Sequence, residues 1–211
     1  MKGKFITFEG IDGSGKTTQI NLLEAELKQQ GISTLIFREP GGTRLSEKIR
    51  NILLDRENMV LFPSTESLLF VAARAQLMAE KIKPALEKNQ FVLCDRFADS
   101  TVAYQGYGRG LNVEYLEELN KFATDYIQPD VTIILDIDSE KAGIRIQSDA
   151  PDRMESIGID FFQRVREGYY DIASRYPQRC IIIDGTQTES EVFESIMKVV
   201  NKKILKEIPC S

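Results

Sequence analysis

Gly10-Ile11-Asp12-Gly13-Ser14-Gly15-Lys16-Thr17-Thr18 satisfies G-x-x-x-x-G-K-[ST] at every position, and its reading decides the fold. Before it, Lys4-Phe5-Ile6-Thr7-Phe8-Glu9 alternates as a strand does; after it, Ile20, Leu22, Leu23, Ala25 and Leu27 recur at helical spacing. A strand that enters a helix through such a turn is a phosphate-binding loop. Gly10, Gly13 and Gly15 remove Cβ atoms, so successive backbone N–H groups can close around an anion. The helix N-terminus adds partial positive charge. Lys16 reads as a point charge for the β- and γ-phosphates, and Thr17 as a hydroxyl ligand of the Mg²⁺ that bridges them.

Composition narrows what else the chain can do. Its 211 residues allow one substantial α/β core, expected here as a single domain over 1–211 with a mobile insertion. A net charge of −5 with no basic block argues against duplex nucleic acid or an anionic membrane as partner. No apolar run approaches a membrane span, and Glu9 stands where a signal peptide would keep its apolar region uncharged. A soluble, cytoplasmic protein is expected. Cys94, Cys180 and Cys210 are widely spaced and, with no histidine in the chain, offer no usual zinc cluster. The missing histidine also removes the commonest general base and the Ser-His and Cys-His pairs, leaving positioning and electrostatics to carry any chemistry.

Along the chain, residues 33–37 read as a second strand running into Arg38-Glu39-Pro40-Gly41-Gly42-Thr43, a loop whose Pro-Gly-Gly run forbids regular structure. Helical spacing resumes at Leu45, Ile49, Ile52 and Leu53. Arg38 and Arg50 are either solvated charges or anion ligands at the carboxyl end of a strand, where open α/β sheets bind ligands. A helix over 64–88 is expected, capped by Ser64 or Thr65, its stripe Leu68, Leu69, Ala72, Ala73, Leu77, Ile82 and Leu86 facing a core. Phe70 and Arg74, four apart, share another face. They are either a half-buried ring beside a surface charge or a clamp for a flat base.

Phe91-Val92-Leu93-Cys94-Asp95 is a strand closing on a carboxylate, the second acidic element expected of such proteins, acting on Mg²⁺ directly or through water. Many hydrolytic ATPases follow it with Glu to polarise a water; Arg96 suits a second phosphate-bearing molecule, and so points to transfer. The segment Asp99 to Gly110, dense in hydroxyl, amide and aromatic groups, reads as pocket lining. A helix over about 113–126, ended by Pro129, precedes the apolar strand Val131-Thr132-Ile133-Ile134-Leu135-Asp136. A short helix over 139–146 follows, then a polar, proline-broken stretch over about 147–156, the candidate mobile lid. Phe161, Val165, Tyr169 and Ile172 mark another helix, Cys180-Ile181-Ile182-Ile183-Asp184 a fifth strand, Gly185-Thr186-Gln187 a turn, and 188–206 a last helix. The order implies α/β architecture of three layers: an open parallel sheet of five strands with helices on both faces.

Taken together, the phosphate loop, Arg38-Glu39-Pro40-Gly41-Gly42-Thr43, Phe70-Val71-Ala72-Ala73-Arg74, the run Asp95 to Gly106 and Asp152-Arg153-Met154-Glu155 resemble the thymidylate kinases in order and spacing over nearly the whole chain. The resemblance implies a P-loop nucleoside monophosphate kinase that transfers the γ-phosphoryl group of ATP to dTMP with Mg²⁺, as a homodimer. It implies catalytic roles for Lys16, Arg96 and Arg153, and Thr17 and Asp95 at the metal. Gly10 to Thr18, Arg145 and Gln187 would hold ATP. Arg96, helped by Arg38 and Arg50, would grip the acceptor phosphate. Thymine would stack on Phe70, with Arg74 donating to a base oxygen and Thr101 and Gln105 at the base edge. Tyr104 would crowd the 2′ position. Asp12 would meet the 3′-hydroxyl or the magnesium shell, and Glu39 the sugar or a water near it. With Ile11-Asp12-Gly13-Ser14 in the loop, the transition-state arginine would come from the lid, Arg153, while Arg145 could stack on adenine. A kinase for another mononucleotide is the nearest alternative. A GTPase-type module lacks its Asn-Lys-x-Asp element, since Asn120-Lys121-Phe122-Ala123 has no acid to read guanine.

Overall fold

The computed structural model describes residues 3–58, 61–145, 153–154 and 157–207. Five strands form one parallel sheet, β1 (Phe5–Glu9), β2 (Thr34–Arg38), β3 (Phe91–Asp95), β4 (Val131–Asp136) and β5 (Cys180–Asp184), in the order β2-β3-β1-β4-β5. The expected α/β architecture is therefore present. In register, Phe8 pairs with Asp95 on one side and Ile133 on the other, so the strand ends carrying the loop and the acid lie side by side.

Side-chain alternation sends each strand's residues to two different cores. Ile6, Phe8, Phe91, Leu93, Val131 and Ile133 meet Ile20, Leu23 and Leu27 of α1 (Lys16–Gln29) and Val192, Ile196 and Val200 of α9 (Glu189–Lys203). On the opposite face, Phe5, Val92 and Cys94 pack on α3 (Pro63–Leu77) and α4 (Lys83–Glu87). Ile134 and Cys180 pack there on α8 (Ile159–Arg175) through Phe161, Val165 and Ile172. Cys94 and Cys180 are buried free thiols, as core packing requires; Cys210 lies outside the described residues.

Several expected boundaries shift. The long helix begins at Pro63 without a side-chain cap from Ser64 or Thr65, and between α3 and α4 it widens into a π-helical segment, Met78–Ile82. Its inner face keeps only part of the expected stripe: Ala73, Leu77 and Ile82 are buried, with Leu86 packed beside them. Glu66, Ser67, Val71, Ala73, Arg74 and Leu77 are buried, whereas Leu68 is 55% exposed and Ala72 lies at the surface. The polar residues turn inward because buried partners await them below. Likewise, α5 (Ala98–Thr101) runs on as a π-helical segment, Val102–Gly108, and α6 (Val113–Ala123) stops short of Pro129. The helix α2 (Arg44–Leu54) is capped by Thr43, and α7 is helical over Ser139–Arg145, the expected last residue, Ile146, lying outside the described residues. Of the candidate lid, only Arg153 and Met154 lie among the described residues.

Candidate active site

The loop after β1 takes the conformation its glycines permit: Gly10, Gly13 and Gly15 have φ of 129°, 78° and 92°. At Gly10 a Cβ would also stand 2.5 Å from the Leu135 carbonyl oxygen, so both dihedral and packing require glycine. Lys16 is buried, its Nζ donating to the carbonyls of Gly10 (3.2 Å) and Ile11 (3.0 Å). Burial and the neighbouring Arg96 pull its pKa below the ordinary lysine value, against Asp12 and Asp95. Thr17 Oγ1 donates to Asp95 Oδ2 at 2.8 Å. Two adjacent oxygen donors suit a hard cation such as magnesium.

Arg96 follows β3 in the left-handed region, at φ 68°. Its backbone N–H is fixed by Phe8 O, and its guanidinium donates to Gly10 O (2.9 Å), Asp12 Oδ1 (2.7 Å) and Tyr104 OH (3.0 Å) while lying over the Tyr104 ring. Burial alone would raise the Asp12 carboxyl, but Arg96 and Lys16 outweigh it and hold the pKa at about 2. Glu9 braces the turn beneath: its buried carboxylate accepts from Phe97 N–H (2.8 Å), Ser100 Oγ and Tyr169 OH (2.9 Å). Burial, with Asp99 nearby, pushes Glu9 up to about 7.

Two cavities open on this constellation. One is lined by Phe70, Ser100, Thr101, Tyr104 and Gln105, among others. The second runs over Gly13, Lys16, Thr17, Thr18, Asp95 and Arg145. Asp12, Glu39, Arg50 and Arg96 belong to both, forming a shared partition.

Arg74 is 1% exposed and engages all three of its guanidinium nitrogens with protein, through four hydrogen bonds and an ion pair. Nε and Nη2 reach Glu39 Oε2 (2.8 and 2.6 Å), Nη1 reaches Thr101 Oγ1 (2.8 Å) and Asn120 Oδ1 (2.6 Å), and Nη2 also reaches Phe97 O (2.8 Å). Glu39 keeps its second oxygen, Oε1, buried beside the cavities and, among the described residues, without a hydrogen-bond partner. Burial raises its pKa despite Arg74. Arg38 stands at the groove, paired with Glu47 (3.0 and 3.2 Å), and Arg50 donates to Pro40 O (3.0 Å). Arg145 donates to Gly185 O at 3.0 Å, and Gln187 is exposed in the turn after β5, among the lining residues of neither cavity. Arg153 is buried against Glu66 (2.7 Å) and Leu53 O (2.7 Å) and likewise lines neither.

Residues 8–196 match the sequence profile of the family described as thymidylate kinase. The chain belongs to the thymidylate kinase family. A thymidylate kinase of Caldanaerobacter subterraneus subsp. tengcongensis is 51% identical over 202 residues, covering 96% of this chain and 97% of that protein. One from Desulforudis audaxviator is 45% identical over 210 residues, covering 99% of this chain and 95% of its own length. The crystal structure of thymidylate kinase from Ehrlichia chaffeensis superposes with a TM-score of 0.79 at 38% identity, covering 95% of this chain and all of that one. Within this thymidylate kinase fold, sequence reasoning passed over Glu9, Asn120 and Glu66 as site residues, and took in Ser100 only as part of the pocket-lining segment Asp99 to Gly110. An acid closing an otherwise apolar strand was the available signal for Glu9; the others are revealed by partners remote in sequence.

Proposed function

We propose that the chain is a thymidylate kinase acting through the two cavities, transferring the γ-phosphoryl group of ATP from the loop side to dTMP on the other, with release of ADP and dTDP. The observation that carries this is the partition: cationic Arg50 and Arg96 border both cavities, so the phosphates of two bound nucleotides would meet there. A dTMP phosphate is already a competent nucleophile at neutral pH, which suits a site built without histidine.

Backbone N–H groups of residues 10–18, with Lys16, cradle the triphosphate, and Arg145 and Gln187 serve the adenosine end. Thr17 and Asp95 hold Mg²⁺, which when bound spreads the phosphate charge. Arg96, oriented by Asp12 and Tyr104, steadies charge as the phosphoryl group crosses, with Arg38 and Arg50 assisting. Phe70 stacks on the base; Thr101 and Gln105 meet its edge, with Arg74 behind Thr101. Tyr104 crowds the 2′ position, and Oε1 of Glu39 is available to a sugar hydroxyl or water. Arg153 would reach the transferring group only after leaving Glu66.

The protein is further proposed to be a cytoplasmic homodimer of one catalytic domain with a lid over about 147–156. Exposed Leu45 and Ile52 on α2 and Leu68 on α3 support a second copy as partner. No helix among the described residues is long and apolar enough to cross a membrane. A coupled ADP-release assay across dTMP, dUMP, dCMP and dGMP tests the activity. Release dependent on dTMP, and fastest with it, is expected; no release on adding dTMP would end the reading.

A further inference from the structure

One carboxylate behind the acceptor cavity has a role that the transfer chemistry does not use. Glu66, in the first turn of α3, is fully buried and lies outside the lining of that cavity. Three side chains converge on it. Gln105 Nε2 donates to Oε1 at 2.9 Å; Arg109 donates through Nε to Oε1 (3.2 Å) and through Nη2 to Oε2 (3.0 Å); Arg153 Nη1 reaches Oε2 at 2.7 Å. Both guanidinium groups are themselves held, Arg109 over the Phe161 ring and Arg153 by Leu53 O.

We propose that Glu66 is a positioning residue for base selection: it fixes the sense of the Gln105 amide, turning the carbonyl oxygen toward the cavity, where it accepts N3–H of a pyrimidine. The inference rests on the cavity being the dTMP site. An amide presents NH₂ at one end and C=O at the other, and rotation by half a turn exchanges a donor for an acceptor with no change of shape. Between two guanidinium groups Glu66 stays ionised: burial works against it, yet the hydrogen bonds from Arg109, Gln105 and Arg153 hold its pKa below the ordinary value. An ionised carboxylate only accepts, so the end of Gln105 that faces it must be NH₂. The oxygen is left for the cavity. Thymine and uracil offer a donor at N3, whereas cytosine offers a lone pair there, and two acceptors facing each other in a dry pocket are strongly unfavourable. Because Arg153 belongs to the candidate lid segment, the same carboxylate joins that segment to the base-reading amide.

The test measures kcat and KM for dTMP and dCMP with wild type, Glu66→Gln, Arg109→Met and Gln105→Ala, each checked for folding by circular dichroism. In Glu66→Gln the new carbonyl goes to the arginines and the new NH₂ faces Gln105, which reverses. The dTMP:dCMP ratio of kcat/KM should then fall by about tenfold or more, mostly through the KM for dTMP. Arg109→Met keeps an acceptor-only carboxylate on Arg153 and should hold the ratio within about threefold of wild type. An unchanged ratio in Glu66→Gln, or an equal fall in Arg109→Met, would overturn the proposal, since either outcome makes Glu66 a packing element. An unchanged ratio in Gln105→Ala would instead remove Gln105 from base reading, a failure of the site assignment. Should Glu66→Gln not fold, Gln105→Glu replaces it. While protonated, the carboxyl group that this substitution introduces can donate to Glu66 and still offer its carbonyl to the base. The KM for dTMP should therefore rise as pH rises and that proton is lost beside Glu66, Arg109 and Arg153. A flat profile would overturn the proposal.

Discussion

Arg74 lies behind the acceptor cavity, outside its lining, with all three guanidinium nitrogens engaged, so any contact it makes with a base must be shared with, or taken from, Thr101 or another of its partners. Its removal would strand Glu39 as a buried, uncompensated carboxylate. Arg74→Ala is therefore expected to lower stability by about 3–5 kcal/mol in urea unfolding and to raise the KM for dTMP while sparing that for ATP. A loss below about 1 kcal/mol would mean that the network relaxes around the gap. Glu9 sets a second expectation. Its native pKa of about 7 lies above the ordinary value of 4.5, so between those values the folded protein keeps a proton that the unfolded chain has released. Folding is favoured at the acid side, and the penalty is complete above pH 7. The stability advantage of Glu9→Gln over wild type should thus grow by about 3 kcal/mol between pH 4.5 and 8, read by chemical denaturation at each pH; a constant difference would refute it. The phosphate loop was legible because that chemistry needs given residues at a given spacing. The partners of Arg74 were not, since Glu39 after β2, Phe97 and Thr101 at the two ends of α5, and Asn120 in α6 are united only by the fold.

At the level of elements, α3 shows why periodicity found only part of the buried face, Ala73 and Leu77 but not Leu68 or Ala72. Leucine and alanine occur around most of its circumference, and the inward face carries Glu66, Ser67 and Arg74, which an apolarity count places outside, beside Val71, Ala73 and Leu77. A helix that builds a polar site inverts the usual pattern because its buried groups find partners. The strands were easier to read, as buried parallel strands must be apolar on both faces. The start of the last helix was also legible from local chemistry: Thr188 accepts from Glu191 N–H while the Glu191 carboxylate takes Thr188 N–H, a reciprocal cap. Since α9 covers one face of the sheet through Val192, Ile196 and Val200, Thr188→Ala should lower stability by about 1 kcal/mol, seen as a reduced thermal midpoint. No shift would show that the first turn of α9 is held by its packing alone.

For the molecule as a whole, the strand order places β1 between β3 and β4, so the loop after β1 and the Asp95-Arg96 turn after β3 open at the same carboxyl edge, where such sheets bind ligands. The opposite concern is the apolar surface left on α2 and α3. If a second copy covers it, Leu68→Glu should convert a dimer to a monomer in light scattering after size exclusion, and a wild type that already elutes as a monomer would refute the assembly. One further property follows from the wall of the acceptor cavity. The chain contains no tryptophan, and Phe70 forms part of that wall. An indole placed there by Phe70→Trp would be the lone strong emitter in the protein, and its quenching by a stacked pyrimidine would let occupancy be followed by light, with no label attached.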